Sequence, residues 1–322
     1  MKPKSINSLM AYMRNAKGIQ INGTVHKKKL RFMGYFHGYK GYRYCNSVTR
    51  PFSYTKFEQV QAVYDFDMSI KSTLYPRIMF LETVIKNYAL EVILEEIGSE
   101  KFVDVYAKAM NAYKEHPIGS QSYEKEIKRS MAVRNKIYEN IARDYNRDNI
   151  ISHYYKQDKP VPIWAIFETL SLGEFGQFLG CLNKNIRRKI SRLVGIHNGI
   201  DADGNLIGKI VLSLKDLRNA VAHNNTIFDT RFKKSSIDGR ISRYIMSETG
   251  MNEVNFKSIV DYVILVAFMM KLLKCGKKDI CSFIKEFENN CDVLYNNVPM
   301  NIYSRIVYTN TKRKLRVMRN YI

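Results

Sequence analysis

Three side chains suited to phosphoryl chemistry lie close together between Leu217 and Asn225, a stretch that reads LRNAVAHNN. His223 supplies an imidazole, which gives or takes a proton near neutral pH because its unperturbed pKa is about 6.5. Arg218 supplies a permanent cation whose planar donors suit phosphate oxygens. Asn219 supplies an amide that can orient the imidazole or the phosphate by hydrogen bonding. The stretch therefore predicts a site for proton transfer and charge stabilisation at a phosphate.

A short helix is predicted to carry these residues. Ser213, followed three residues later by Asp216, resembles a capping box and predicts that the helix begins there. Apolar residues then recur at helical spacing: Leu214, Leu217 and Val221. Asn224 and Asn225 are predicted to end the helix, because asparagine tolerates the left-handed backbone conformation found at helix ends.

The helix geometry predicts where the motif side chains point. At about 100° per residue, His223 lies opposite the apolar residues and is expected to face away from the core. Arg218 lies about 140° around the axis from His223, so the two are not neighbours on one straight helix. A second copy of the motif facing the first could bring them together.

The spacing of Arg and His alone is weak evidence. An Arg precedes a His by four to six residues at four places: Arg31/His37, Arg147/His153, Arg192/His197 and Arg218/His223. A lone His on a helix is also more often structural than catalytic. The fourth pair differs in its context, because Asn follows both the Arg and the His and small residues lie between them on a capped amphipathic helix.

The motif and its surroundings resemble a known group of proteins. RNAVAHN resembles the signature of HEPN ribonucleases, and residues 30 to 235 resemble the Abi-like abortive-infection proteins of bacteria, the AbiD/AbiF group. Three further stretches carry the resemblance: Tyr64-Asp65-Phe66-Asp67 with Glu82, Pro162-Ile163-Trp164 with Glu168 to Gly173, and Asn225-Thr226-Ile227-Phe228. The family usually has Leu-Arg one turn after Tyr-x-Phe-Asp, whereas this chain has Ile70-Lys71.

The resemblance implies an all-α, HEPN-like helical bundle with the activity of a metal-independent endoribonuclease. RNA carries its own nucleophile, the 2′-hydroxyl, so the protein needs proton transfer and charge stabilisation but no cofactor. His223 is expected to move the proton, Arg218 to stabilise charge on phosphorus, and Asn219 to orient His223 or the phosphate. Cleavage would leave a 2′,3′-cyclic phosphate and a 5′-hydroxyl.

Because acid and base are both needed, the resemblance also implies a homodimer that places two motifs at its interface. A pseudo-dimer within the chain, using Arg147 and His153, is a lesser alternative because His153 is predicted to lie in a loop. Some relatives act with a small noncoding RNA, so binding and regulation by such an RNA are expected here. The competing function is a non-catalytic scaffold that holds a structured small RNA. A DNA-binding repressor is disfavoured, since no helix-turn-helix pattern is apparent.

The charge distribution favours an RNA partner. The formal net charge is +22, residues 1–57 contain 12 Lys or Arg and no acid, and residues 293–322 contain six and no acid. Such acid-free tracts are typical of proteins that bind polyanions. Anionic membrane is the lesser alternative, because neither end pairs its charge with a lipid-seeking apolar face. The predicted RNA-binding residues are Lys27, Lys28, Lys29, Arg31, Tyr39, Lys40, Arg43, Arg50, Lys312, Arg313, Lys314 and Arg316.

Aromatic residues interleave with these cations between Phe32 and Tyr54. Such interleaving suits stacking on single-stranded bases while the cations hold phosphates. A segment of rings that packs over the helical core explains the pattern equally well, and both interpretations stay open at this point.

Other features narrow the class of protein. No apolar run reaches 18 residues, and the N-terminus has Lys2 and Lys4 without the apolar region of a secretion signal, so a cytoplasmic protein is expected. The five cysteines are scattered without ligand spacing, which indicates reduced thiols and no zinc site. Asp201 to Asn205 briefly resembles a calcium loop, but Leu206 and Leu212 occupy positions that require Gly and Glu, so a turn is predicted and no metal is expected.

The predicted organisation has three parts. Residues 1–56 form a basic, aromatic N-terminal segment that contacts RNA, residues 57–293 form the HEPN-like helical domain, and residues 294–322 form a basic C-terminal tail or final helix. A helix from Phe57 is expected to break at Pro76, and residues 229–250 are expected to form a flexible loop. Helices are predicted at about residues 254–274 and 277–293, and the apolar run inside Ile259 to Leu273 is predicted to be a buried core helix. Glu82 is predicted to point inward and to need a partner, for which an Arg or His of the motif is one candidate.

Overall fold

Helices dominate the computed structural model, which describes residues 5–147, 149–197 and 199–322. Within these ranges there is no β-strand, and the extended backbone forms only isolated bridges such as the one between Tyr44 and Pro51. The predicted all-α fold class is confirmed. No helix in the described part of the chain combines the length and apolar character that crossing a bilayer requires.

The α-helices follow one another through most of the chain. In order, they are α1 (Ile6–Lys17), α2 (Gly23–Met33), α3 (Phe57–Ile97), α4 (Phe102–Lys108), α5 (Gln121–Asp144), α6 (Asn149–Lys156), α7 (Ile163–Thr169), α8 (Leu172–Cys181), α9 (Lys184–Val194), α10 (Leu206–Ala222), α11 (Gly239–Thr249), α12 (Ile259–Leu272), α13 (Lys277–Asn297), α14 (Met300–Ile306) and α15 (Thr311–Tyr321). A π-helical turn covers Tyr35–Lys40, and a 3₁₀ turn covers Ala112–Glu115.

The chain divides into two compact units. The first comprises the chain up to Arg77, Asp216–Ser236 and Ile245–Ile322, and the second comprises Ile78–Lys215 and Ile237–Tyr244. Along the chain, α3, α10 and α11 pass from one unit to the other. The motif from Leu217 to Asn225 belongs to the first unit.

Helix α12 forms the centre of the first unit. Every residue from Ile259 to Met270 is buried, as expected for a helix that is apolar on all sides. Helices α13 and α15 pack against it. The two helices predicted for this region, and the burial predicted for the first of them, are therefore confirmed. The basic C-terminus folds as α14 and α15, and α15 buries Leu315 and Met318.

Helix α3 runs through Pro76 without ending, so the predicted break is wrong. Proline lacks the N–H that would bond to the carbonyl four residues earlier, here that of Ser72. Both residues are exposed, so water can satisfy that carbonyl. The next carbonyl, that of Thr73, accepts a hydrogen bond from the Arg77 guanidinium at 3.2 Å.

Two predicted loops contain helices. The polar segment 229–250 includes α11, whose Ile241, Tyr244 and Ile245 are buried at helical spacing. His153, predicted in a loop, lies in α6, which buries Ile151. Both predictions are wrong because a few buried apolar residues decide the conformation of segments that are polar on average.

The second unit confirms that Glu82 points inward. Glu82 is buried, and its Oε1 lies 3.2 Å from the Nζ of Lys86, one turn further along α3. Lys86 also donates to the carbonyl of Leu170 at 2.9 Å. A cation on the same helix therefore serves the buried carboxylate, as burial of a charge requires.

Candidate functional site

Helix α10 carries the motif and begins earlier than predicted, at Leu206. Asp201 caps this start, since its Oδ1 accepts a hydrogen bond from the backbone N–H of Leu206 at 3.0 Å. Ser213 lies inside the helix, where its hydroxyl donates to the carbonyl of Lys209 at 2.9 Å. The predicted start at Ser213 is therefore wrong, because the hydroxyl bonds back along the helix and does not cap it.

The helix ends where the sequence predicts. Asn224 has a positive φ of 53°, the left-handed conformation that asparagine tolerates. The backbone N–H groups of Asn224 and Asn225 donate to the carbonyls of Val221 and Ala220 at 3.1 and 2.8 Å. The backbone N–H of His223 still donates to the carbonyl of Asn219 at 3.0 Å. His223 therefore directly follows the last residue of α10, and its backbone is still hydrogen-bonded to the helix.

The motif side chains differ in exposure. His223 is exposed, Arg218 and Asn219 are half-buried, and Leu217 and Ala220 are buried. The prediction that His223 faces away from the core is confirmed. Arg218 Nη1 donates to Asn219 Oδ1 at 3.3 Å, so in this structure the amide of Asn219 orients the guanidinium beside it.

Asp67 on α3 fixes the segment that follows the motif. Its side chain is fully buried, and its Oδ1 accepts hydrogen bonds from the backbone N–H groups of Ile227 and Phe228 at 2.8 and 2.7 Å. Its Oδ2 accepts one from the Tyr42 hydroxyl at 2.7 Å and lies 2.7 Å from Lys71 Nζ. An ionised carboxylate offers about four acceptor positions, so four donors satisfy it. Asp67 and these four donors are called the Asp67 cluster below.

Lys71 extends the Asp67 cluster to the motif. Its ammonium lies between the Asp67 carboxylate and Asn224 Oδ1, to which it donates at 2.9 Å. Asn224 directly follows His223, so a buried ion pair on α3 holds the residue next to the imidazole. Burial, reinforced by the adjacent carboxylate, raises the pKa of Tyr42 well above its usual range, so its hydroxyl stays protonated and available as a donor.

A second carboxylate joins the N-terminal aromatic segment to the same loop. Asp229 accepts a hydrogen bond from the backbone N–H of Asn46 at 2.7 Å and binds the guanidinium of Arg231. Arg231 in turn donates to the carbonyls of Gly41 and Tyr44 at 3.0 and 2.7 Å and lies 4.3 Å from the centre of the Tyr44 ring. The segment that was predicted to contact RNA is thereby attached to the loop after His223.

The predicted RNA-binding residues of the N-terminal segment fall into three classes. Lys28, Arg31, Lys40 and Arg50 are exposed, and Lys27, Lys29 and Arg43 are half-buried. Tyr39 is buried, and burial raises its pKa to about 12. Tyr39 therefore packs inside the first unit, as the alternative interpretation of the aromatic residues proposes, and it has no place on an RNA-contacting surface.

The C-terminal cations divide in a similar way. Lys312, Arg313 and Arg316 are exposed on α15. Lys314 is buried, and its Nζ lies 2.6 Å from Oδ1 of the fully buried Asp261. Lys314 thus serves an internal ion pair, whereas its three exposed neighbours remain accessible to a polyanion, with Lys312 Nζ 4.0 Å from Asp292 Oδ1.

The chain matches the family model described as "Abi-like protein" over residues 28–229. It belongs to the Abi-like family. The comparisons with curated proteins and with solved structures give no significant match. Membership of this family indicates a part in abortive infection, that is, in defence against phage.

The matched part of this Abi-like protein includes the motif, the Asp67 cluster and Asp229. Lys71, which stands where the resemblance predicts Arg, supplies a cation that contacts both Asp67 and Asn224. Sequence reasoning marked Asp67 but did not place Lys71 in the site. The signal was available, because Asp and Lys four residues apart on a helix are neighbours.

Two exposed rings of the Abi-like protein are also absent from the predicted site. Phe32 is 75% exposed and Phe36 is 69% exposed, whereas Tyr39 in the same segment is buried. Helical spacing could have indicated Phe32, which lies four residues after Lys28 and off the face that buries Leu30 and Met33.

Proposed function

We propose that this Abi-like protein is a metal-independent endoribonuclease of the HEPN type, with Arg218, Asn219 and His223 as its active residues. One observation carries the proposal. The imidazole of His223 is exposed directly after the last residue of α10, and the residue after it is held through Lys71 to the buried carboxylate of Asp67. A fixed, accessible imidazole beside a half-buried guanidinium suits a large polyanionic substrate.

The reaction needs two proton transfers. A neutral imidazole takes the proton from the ribose 2′-hydroxyl, and the oxygen attacks the adjacent phosphorus. The bond to the 5′-oxygen breaks, and that oxygen takes a proton from an imidazolium, which leaves a 2′,3′-cyclic phosphate and a 5′-hydroxyl. Arg218 offsets the negative charge that develops on the phosphate oxygens, and Asn219 orients Arg218. The nucleophile belongs to the substrate, so no metal or cofactor is required.

Two histidines would perform these transfers in a homodimer. The resemblance to HEPN ribonucleases favours a composite site built from two copies of the motif, in which one His223 acts as base and the second copy of His223 acts as acid. Arg218 and His223 of one copy point in directions about 140° apart on the helix. A second copy of the motif would supply the partner that each of them lacks on its own helix.

The basic surface of the first unit would hold the RNA. Exposed Lys28, Arg31 and Lys40 near the N-terminus and Lys312 and Arg316 on α15 supply cations for phosphate contacts. The same contacts suit a noncoding RNA that stays bound to the protein and regulates it, as the resemblance implies. These surfaces serve RNA binding whether or not the bound RNA is the one that is cut.

Cleavage of a mixed RNA pool in EDTA tests the proposal. We expect wild-type protein to leave 2′,3′-cyclic phosphate ends, and His223→Ala to cleave at least about a hundredfold more slowly, since a general acid or base contributes roughly 10²–10⁴. The matched control is His153→Ala, because His153 is also exposed on a helix and follows Arg147 by six residues. This control should cleave like wild type.

Three outcomes would contradict the proposal. Loss of cleavage in His153→Ala would favour the pseudo-dimer within one chain. Dependence on a divalent ion would exclude the metal-independent mechanism. Wild-type protein that binds RNA but does not cleave it, whether or not it still carries a co-purified RNA, would favour the non-catalytic scaffold.

Subunit mixing tests the composite site. When wild-type and His223→Ala subunits exchange in equal amounts, a site that needs two histidines retains about one quarter of the activity, because only dimers of two wild-type subunits are active. A site contained in one subunit retains about one half. Sedimentation analysis of the mixture confirms whether dimers form.

A further inference from the structure

The π-helical turn and the helix before it leave two aromatic rings in solvent. Phe32 on α2 and Phe36 in the turn Tyr35–Lys40 are 75% and 69% exposed. Full burial of a phenylalanine side chain stabilises a protein by roughly 1.5–3 kcal/mol, and the same segment does bury Tyr39, Tyr42 and Phe52. The fold therefore buries half of the eight phenylalanine and tyrosine rings from Phe32 to Tyr54, partly covers Tyr35 and Tyr44, and leaves these two uncovered.

Cations lie near the Phe32 ring and near the ring that precedes Phe36 in the chain. The Nζ of Lys28 lies 5.6 Å from the centre of the Phe32 ring, and the Nζ of Lys40 lies 5.7 Å from the centre of the neighbouring Tyr35 ring. Arg31 is exposed next to Phe32 in the chain. Among the described residues, Lys28, Arg31 and Lys40 form no ion pair. No acidic residue precedes Glu58 in the sequence.

This combination indicates the chemistry of the partner. Exposed apolar rings alone occur on many surfaces and favour no particular ligand. Exposed rings that alternate with cations outside ion pairs suit a single-stranded nucleic acid. Its unpaired bases can stack on the rings, and its phosphates can bind the cations. In a duplex the bases are stacked on one another and the rings find no free face, whereas the cations would still meet phosphates.

We propose that Phe32 and Phe36 form a stacking platform for unpaired RNA bases, with Lys28, Arg31 and Lys40 holding the adjoining phosphates. This inference deepens the proposed function, on which it rests for the RNA partner, and it specifies single-stranded RNA of mixed sequence as the form that this surface selects. Stacking tolerates every base because each base has a π-face. The surface therefore distinguishes single-stranded from double-stranded RNA and does not distinguish base sequences.

Fluorescence anisotropy on the full-length protein tests the platform. All variants carry His223→Ala so that the RNA is not cut. The probes are a labelled oligouridylate of about a dozen nucleotides and a labelled RNA hairpin with as many phosphates, whose paired strands are joined by a non-nucleotide linker so that it has no loop of unpaired bases. We expect Phe32→Ala and Phe36→Ala each to weaken binding of the single strand roughly five- to hundredfold, the range that one base–aromatic stack contributes. Binding of the hairpin should change by less than about twofold, because its bases have no free faces.

The salt dependence separates rings from cations. The slope of log affinity against log salt should stay unchanged in both phenylalanine variants, because no phosphate contact is lost. In Lys28→Gln and Lys40→Gln the slope should fall by about 0.7 for each charge removed. Phe32→Tyr keeps a flat ring and should bind the single strand nearly as well as the parent.

Two control variants show whether the effect is specific to these rings. Val25 is exposed on the same helix and Phe80 is an exposed phenylalanine of the second unit, so Val25→Ala and Phe80→Ala should leave single-strand binding unchanged. Far-ultraviolet circular dichroism of each variant confirms that the helices are intact.

Each outcome decides the inference. Equal weakening for the single strand and the hairpin, or no weakening for either, overturns the stacking platform. A change of oligomeric mass in Phe32→Ala and Phe36→Ala with RNA binding intact shows that the rings contact a second copy of the chain instead. Selective single-strand binding that depends on both rings supports the platform even where wild-type protein cuts no RNA, so its success is separate from that of the nuclease. Absence of any RNA binding by the parent protein overturns both proposals.

Discussion

Replacing Asp67 by Asn tests whether one buried carboxylate holds the loop beside the motif. Asp67→Asn keeps the shape of the side chain but removes the negative charge opposite the buried Lys71. Its NH₂ group must also face two of the four present donors, whichever way the amide is turned. Breaking one side of a buried ion pair costs about 3–5 kcal/mol, and the acceptor Asn224 Oδ1, which Lys71 keeps, favours the lower end of this range.

Hydrogen exchange measures this cost where it arises. The backbone N–H groups of Ile227 and Phe228 donate to Asp67, so their exchange reports on opening of this loop. A cost of about 3 kcal/mol raises the rate more than about a hundredfold, since each 1.4 kcal/mol is a factor of ten. The first unit contains an internal control, because Asn255 and Phe256 donate their N–H groups to Asp261 in the same way. Their exchange should not change.

A double variant separates the effect of an unpaired buried charge on stability from the effect of the lost Asn224 contact on cleavage. Asp67→Asn with Lys71→Met removes both members of the buried pair, which is often close to neutral for stability, so exchange at Ile227 and Phe228 should slow again relative to the single variant. RNA cleavage should be low in this double variant, because methionine at position 71 cannot donate to Asn224, which has therefore lost its tie to α3. Three results would refute the reasoning. The exchange rates at Ile227 and Phe228 could be unchanged in Asp67→Asn, or the rates at Asn255 and Phe256 could rise equally. The effects of the two substitutions on the exchange rates could also simply add.

Three further predictions concern stability. Asn224→Val should be about 1–2 kcal/mol less stable than Asn224→Gly in chemical denaturation, because both lack the amide and only valine is strained at positive φ; equal stabilities would contradict the helix-end geometry. Lys314→Met should lower the thermal midpoint, because Asp261 loses its cationic partner, while RNA affinity and its salt slope stay unchanged. An unchanged midpoint with weaker RNA binding would indicate that Lys314 contacts RNA. Tyr39 has a folded pKa of about 12 against about 10 when unfolded. Its contribution to stability is therefore complete below pH 10 and lost as the pH rises through 12; Tyr39→Phe should flatten this fall in the thermal midpoint, and an unchanged alkaline slope would count against it.

Local physical rules explain the parts of the structure that the sequence predicted well. The resemblance to a helical family predicted the all-α chain, and an apolar run between Asp261 and Lys271 predicted the buried helix α12. The end of α10 just before Asn224 followed from the tolerance of that residue for left-handed backbone. The outward direction of His223 followed from its angle to Leu217 on the same helix.

Other predictions failed where distant segments decide the outcome. The break at Pro76 did not occur because the carbonyl that loses its partner lies in solvent, which depends on which face of α3 is covered. The segment containing α11 is polar on average, but burial of Ile241 and Tyr244 makes it helical. Burial is set by the surfaces that meet in the folded chain, and a window of sequence does not contain them.

The sequence by itself determined the helical class, the motif from Arg218 to His223 and the accumulation of positive charge at both ends. Only the tertiary structure decided which charged and aromatic groups are free. It brought the N–H groups of Ile227 and Phe228 to Asp67, some 160 positions earlier in the chain, and it paired Lys314 with Asp261. It also buried Tyr39 and left Phe32 exposed. The physical reason is that residue type and helical spacing are local properties, whereas the partner of a buried charge and the cover over a ring come from segments far away in the sequence.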